Sequence, residues 1–135
     1  MTSHAHGVDA DIQDEENIYE SCKWLKDMAL NLGCVVVCSG KIDVITDGKE
    51  VNLISNGCDM LSRITGTGCM LNVAIATFLA SFPPLNACVK ATCYYEVAAE
   101  KTECNGPGTF HMHFMDEIYK LTSFDESLFK IEVLG

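Results

Sequence analysis

Ser62-Arg63-Ile64-Thr65-Gly66-Thr67-Gly68-Cys69 runs without a break into Met70-Leu71-Asn72-Val73-Ala74-Ile75-Ala76-Thr77-Phe78-Leu79-Ala80. The first stretch holds two glycines and two threonines. The second lacks Pro and Gly and is apolar nearly all round, which predicts a buried helix. A Gly-rich turn at the start of a helix presents unpaired backbone N–H groups beside the positive end of the dipole. Anions bind there without a basic side chain. Cys69 falls in the first turn, where the same field favours the thiolate. The residues alone leave two readings open, an anion cradle and a plain tight connection. The stretch is not a Walker A loop, because no Gly-Lys-Ser/Thr follows at the right spacing. It is not a dinucleotide fingerprint either, because Leu71 stands where the third glycine belongs.

Upstream of this stretch, Ile42–Thr46 and Lys49–Ile54 alternate around Asp47-Gly48 and predict a β-hairpin with a two-residue turn at a sheet edge. Asp43 and Asp47 read as turn and surface groups, and Asn56-Gly57 makes the next turn. Cys34-Val35-Val36-Val37-Cys38 is a continuous apolar run, the pattern of a strand covered on both faces in a parallel sheet. Ser39-Gly40 then lies at the strand's C-terminal end, where open α/β sheets place ligands. An ordinary turn serine fits the residues equally well. Asp14–Leu32 predicts an amphipathic helix with Ile18, Cys22, Leu25, Ala29 and Leu32 on one stripe and Trp24 packed at its flank. Glu15, Glu16 and Glu20 lie near its positive end, and Gly33 stands where a C′ residue should. Met1–Asp11 is a polar lead in which His4 and His6 read as solvated.

Downstream, Ser81-Phe82-Pro83-Pro84 stops the central helix. Leu85–Glu103 predicts a second helix. Asn105-Gly106-Pro107-Gly108 breaks it, and Thr109 is placed to cap a third helix through about Leu121, with Phe110, Phe114, Ile118 and Leu121 as its packing stripe. His111 and His113 are two apart and do not share a helix face. Phe124–Gly135 suits a turn of helix or an edge strand.

The 135 residues suit one domain, and 48% apolar with 21% charged residues is a globular composition. The net charge of −10 argues against nucleic acid or an anionic membrane surface as partner. It does not exclude a nucleotide, since backbone amides and a metal hold phosphates. Eight cysteines occur without a CxxC pair. The polar, acidic Met1–Asp14 is no signal peptide. Reduced, mostly buried cysteines in a cytoplasmic protein are therefore expected. The apolar run Cys69–Ala80 is too short to span a bilayer.

Arg63-Ile64-Thr65-Gly66-Thr67-Gly68-Cys69-Met70-Leu71 resembles the signature of the hydroxyethylthiazole kinase family, of the ribokinase-like class. The resemblance extends along nearly the whole chain. His6-Gly7-Val8-Asp9, Ser39 to Gly48, Ile54-Ser55-Asn56-Gly57 and Gly106-Pro107-Gly108-Thr109-Phe110 follow the family's order at about its spacings. The family's chains are roughly twice as long, and this sequence is similar to their C-terminal half. The resemblance implies an α/β fold: residues 1–135 as a single partial domain of a three-layer, ribokinase-like α/β/α architecture, with a β-hairpin and a C-terminal helical set. It also implies a cytoplasmic enzyme that phosphorylates hydroxyethylthiazole with ATP and Mg²⁺ in thiamin salvage.

By the same resemblance, Gly66, Thr67, Gly68 and Cys69 form an anion hole for the transferring phosphoryl group, and Gly66 lines the thiazole pocket. Cys69 stands where the wider class has an aspartate base. Ser39 occupies the position of a family threonine near the nucleotide phosphates, keeping the hydroxyl and losing a methyl group. The family's acidic residues that organise Mg²⁺, and an arginine at the nucleotide, lie upstream of anything present here, so no metal ligand is assigned. Two outcomes are implied: a homo-oligomer, trimeric by resemblance, or a non-catalytic truncated or split fragment that needs a separate N-terminal chain.

Overall fold

The computed structural model describes residues 15–120 and 125–135. The expectations for the polar lead, for His4, His6 and the His6–Asp9 block, and for Asp14, Leu121 and Phe124 lie outside the described residues. Among the described residues there are four α-helices, two 3-10 turns and a four-stranded sheet. The α/β class expected from the sequence is what the chain adopts. The described residues divide into two compact units, one made of those up to Ser55 together with Ile131–Gly135, the other of those between Asn56 and Lys130.

The first unit is a helix on an antiparallel sheet. Helix α1 (Glu15–Leu32) lays Ile18, Cys22, Leu25 and Ala29 into the core at the expected spacing. Full burial of Ile18 or Leu25 contributes roughly 2 kcal/mol apiece. Two expectations fail at its edges. Leu32 is 66% exposed and Trp24 is 60% exposed, so the buried stripe stops at Ala29 and the indole does not pack. Gly33, at φ +64°, closes the helix with its N–H on the Ala29 carbonyl at 2.9 Å.

Strand β1 (Val36–Cys38) is short, half-buried and antiparallel to β2 (Asp43–Thr46). This corrects the expected parallel strand covered on both faces. The reason is the connection: only residues 39–42 separate the two strands, and a parallel return needs a crossover of a dozen residues or more. Strand β3 (Val51–Ile54) pairs with β2 through Asp43↔Ile54 to Thr46↔Val51. Strand β4 (Ile131–Leu134) pairs with β3, giving the order β1-β2-β3-β4. The hairpin is thus central rather than at the edge, because β4 covers its outer side. Its loop holds four residues rather than two. The Asp47 carboxylate accepts from the N–H groups of Lys49 (2.8 Å) and Glu50 (3.0 Å), and the Thr46 hydroxyl donates to the Glu50 carbonyl at 2.6 Å. Cys22, Leu25, Val44, Val51 and Leu53 form the core of this unit.

The second unit is helical. A 3-10 turn (Asp59–Arg63) leads to α2 (Thr67–Leu79), α3 (Pro84–Lys101) and α4 (Pro107–Lys120). Helix α3 is its spine, with ten buried residues including Tyr95, Glu96 and the alanines 87, 91, 98 and 99. Helix α4 begins at Pro107, two residues before the expected cap. Thr109 instead sits in the first turn, where its hydroxyl oxygen accepts from the Asn105 N–H at 2.9 Å. Phe110 and Phe114 are buried and stacked at 5.4 Å, and Ile118 is half-buried. A 3-10 turn (Glu126–Leu128) precedes Lys130, and no described helix is long and apolar enough to cross a membrane.

Candidate functional site

The Gly-Thr-Gly stretch is the N-terminus of α2. Gly66 is the N-cap residue at φ +98°, a left-handed conformation that L side chains avoid, and it supplies no capping side chain. The first intrahelical bond runs from the Met70 N–H to the Gly66 carbonyl at 2.9 Å. The first-turn N–H groups of Thr67, Gly68 and Cys69 therefore receive no side-chain cap. Added Cβ atoms at Gly66 or Gly68 would meet nothing within 4 Å. The space above both glycines is open, and Gly68 adopts a helical conformation that any residue tolerates.

Thr67 does not aim its side chain into that space. Its hydroxyl turns back to the preceding 3-10 turn and donates to the carbonyls of Leu61 (3.1 Å) and Ile64 (3.5 Å). From α3, the Tyr95 hydroxyl donates to the Thr67 carbonyl at 2.9 Å. Tyr95 is 3% exposed and meets the Phe114 ring edge-on at 4.9 Å. Burial, and secondarily the Glu96 charge, push its phenol well above the ordinary tyrosine range, so it remains a donor. Cys69 is exposed beside the turn, with a free thiol. No disulfide joins the eight cysteines, but only Cys22, Cys88 and Cys93 are buried, fewer than the apolar runs suggested.

The helix behind the turn is less buried than its composition predicts. Only Leu71 and Ile75 are buried, while Val73 is 68% and Leu79 47% exposed. Within its unit α2 packs one stripe on α3, with Phe78 against Tyr94 at 5.8 Å. Its opposite apolar face has no cover among the described residues.

The turn is approached through the loop at Asn56-Gly57, where the sequence predicts a turn. Gly57 sits at φ +106°, and a Cβ there would lie 1.9 Å from the Glu96 carboxylate, so only glycine fits. The Glu100 carboxylate accepts from the Gly57 N–H (3.0 Å), the Asn56 amide (3.3 Å) and the Lys130 ammonium (2.8 Å). Burial pushes this carboxyl up, but these partners together hold it below the usual range. The Asn56 amide also donates to the Leu128 carbonyl and accepts from the Lys130 N–H, at 3.0 and 2.7 Å. The loop 56–58 is thereby clamped to α3 and to the segment before β4.

Ser39 belongs to the first unit. It is exposed directly after β1, as expected. Next to it, the Gly40 N–H donates to the Asp43 carboxylate at 3.0 Å. Asp43 is 2% exposed, not the surface group the turn pattern suggested, and burial raises its pKa to about 6. The structure thus gathers Gly66, Thr67, Gly68 and Cys69 in one turn and places Ser39 in the other unit. No group of three or more His, Cys, Asp or Glu residues that could hold a metal occurs among the described residues.

A family model described as the hydroxyethylthiazole kinase family matches residues 1–124. A hydroxyethylthiazole kinase of Pyrococcus furiosus is 40% identical over 131 residues, covering 95% of this chain and 48% of its own. A hydroxyethylthiazole kinase of Methanosphaera stadtmanae is 36% identical over 126 residues, covering 87% of this chain and 44% of its own. A solved structure of the Pyrococcus horikoshii hydroxyethylthiazole kinase superposes with a TM-score of 0.81 at 30% identity, over 90% of this chain and 49% of that one. The chain spans about half the length of the relatives it matches, corresponding to their C-terminal half.

Proposed function

The chain belongs to the hydroxyethylthiazole kinase family, and on that premise we propose that it carries the phosphoryl-holding turn of an ATP-dependent kinase acting on hydroxyethylthiazole. The observation that supports this most is the turn at Gly66–Cys69. Its first-turn N–H groups lack a side-chain cap and open onto space that two glycines keep clear.

In the proposed reaction the hydroxyl oxygen of the substrate attacks the γ-phosphorus of ATP. The bond from that phosphorus to the β,γ-bridging oxygen breaks, and ADP leaves. The hydroxyl proton passes to Cys69 acting as base. Such transfers demand little covalent work of the protein and much positioning and charge stabilisation. The amides of Gly66, Thr67, Gly68 and Cys69 supply stabilisation at the equatorial oxygens. Gly66, without a side chain, lets the thiazole approach, and the Ser39 hydroxyl donates to nucleotide phosphates. Mg²⁺ accompanies ATP in this chemistry. The described residues form no group of three His, Cys, Asp or Glu side chains that fits it. A cytoplasmic location, where ATP is plentiful, is part of the same proposal.

A second reading is favoured by the exposed apolar face of α2. Val73 and Leu79 lie open on the helix that begins at the turn, and such a face ordinarily takes a partner. On this reading the 135 residues form one part of a split kinase domain and are inactive until another chain, or further copies of this one, cover that face.

The test is transfer of labelled γ-phosphate from ATP to hydroxyethylthiazole. The purified 135-residue chain is assayed with Mg²⁺, alone and with a separately produced N-terminal half of the Pyrococcus furiosus relative. Turnover by the chain alone supports the first reading. Turnover only with the added half supports the second. A folded chain that yields no product in either arm contradicts both.

A further inference from the structure

We propose that Tyr95 is a positioning residue which, together with the Thr67 side chain, presets the Gly66–Cys69 turn to receive an anion. The inference rests on the reading of that turn as the phosphoryl-holding element. Three observations carry it. The Tyr95 hydroxyl donates to the Thr67 carbonyl at 2.9 Å, the carbonyl of the first residue of α2, whose oxygen has two lone pairs and can serve the tyrosine as well as the helix. The Thr67 hydroxyl is tied back to Leu61 and Ile64. The two residues flanking Thr67 are glycines with open space around them, so nothing else restrains the turn from its sides.

The geometry of the peptide unit converts these ties into an effect on the anion site. The Thr67 carbonyl and the Gly68 N–H belong to one planar, trans unit and point in opposite directions. A donor that fixes the carbonyl therefore fixes the direction of the Gly68 N–H, which points away from the helix toward the proposed phosphate. Hydrogen bonds in series also polarise one another, so a bond donated to the carbonyl makes the N–H a better donor. A glycine-flanked turn loses much backbone freedom when it closes on a ligand. The brace from rigid, buried α3 removes part of that freedom beforehand, which is how preorganisation raises affinity. Tyr95 itself is anchored by Phe114 on α4, so the brace reaches through three helices of the unit.

The experiment uses the isotope-labelled 135-residue chain, alone or with the added N-terminal half, whichever gives turnover in the transfer assay, and a non-hydrolysable ATP analogue, adenylyl imidodiphosphate, with Mg²⁺. Backbone amide signals of Gly66, Thr67, Gly68 and Cys69 are followed through a titration of wild type, Tyr95→Phe and Thr67→Val. Melting temperatures are recorded in parallel, with Phe114→Leu as a packing control. The wild-type signals are expected to shift. Each of Tyr95→Phe and Thr67→Val should weaken the affinity about five-fold, the equivalent of one neutral hydrogen bond. Phe114→Leu should lower the melting temperature more than it lowers affinity. Thr67→Val keeps the test readable even if Tyr95→Phe does not fold. Wild-type signals that shift with the same affinity in the folded variants overturn the brace and leave the turn's role standing. Wild-type turn signals that stay still while the analogue binds elsewhere, or does not bind, overturn the turn's role and the brace with it.

Discussion

The carboxylate of Asp43, at the first position of β2, accepts the Gly40 N–H at 3.0 Å and so closes the short connection that carries Ser39. A carboxyl group that is 2% exposed keeps its proton longer than one in water, and here burial carries its pKa from 3.8 to about 6 against the opposing Gly40 hydrogen bond. The nearby Cys38 thiol is pushed up as well, first by burial and then by the Asp43 charge.

The sign of the pH dependence follows. The folded chain binds the Asp43 proton more tightly than the unfolded chain does. Its contribution is fully present below about pH 4 and is lost as pH rises toward 6. Asp43→Asn keeps an acceptor for Gly40 and removes the charge. Urea unfolding followed by circular dichroism should show the variant gaining on wild type between pH 4 and 6, by about 3 kcal/mol at the upper end. A constant difference across that range contradicts the assignment.

Thr92, in the middle of α3, is fully buried, and its hydroxyl has no hydrogen-bond partner. Leaving a buried polar atom unpaired costs about 1 to 3 kcal/mol, and an apolar isostere relieves the cost. Thr92→Val should therefore raise the midpoint of chemical unfolding, with a stabilisation of about 1 kcal/mol after the lower helix propensity of valine is counted. A destabilised variant would mean that the hydroxyl is satisfied in solution.

Cys69→Ala keeps the backbone N–H and removes the thiol. A phosphoryl transfer with a loose transition state asks little of a base, so the loss in kcat should be modest, about ten-fold, with KM for ATP nearly unchanged. Steady-state kinetics under the condition that gives turnover reads both. An unchanged kcat would remove the thiol from the reaction, and a raised KM would place it in binding.

What the sequence disclosed depended on whether the signal was local. The helix from Glu15 to Leu32 was legible because Ile18, Cys22, Leu25 and Ala29 repeat at the helical period. The hairpin was legible because Asp47-Gly48 interrupts two alternating runs. The direction of β1 was misread because an apolar run such as Cys34–Cys38 reports burial and not pairing. The length of the connection, residues 39–42, held the answer. Strand β2 is buried at all four positions, so alternation could not reveal that Asp43 lies inside. The exposure of Val73 was hidden for the opposite reason, since an apolar residue announces a preference for cover and not whether cover is present. At the candidate site, Gly66 to Cys69 stood out through composition and family resemblance. Tyr95, 28 positions downstream of Thr67, carried no signal beyond being an aromatic residue on an alanine-rich helix.

Gly68→Ala tests most directly whether the turn at the head of α2 exists for a ligand. The position is helical, and an added Cβ meets nothing within 4 Å, so the fold does not require glycine there. Alanine should hold or raise the melting temperature, gaining up to about 1 kcal/mol from helix propensity. A methyl group in the space assigned to the transferring phosphoryl should block close approach of the backbone. Transfer of γ-phosphate to hydroxyethylthiazole, measured under the condition that gives wild-type turnover, should fall at least a hundred-fold. A stable Gly68→Ala chain with little or no activity is the predicted result. A variant that phosphorylates hydroxyethylthiazole as fast as wild type would contradict the account.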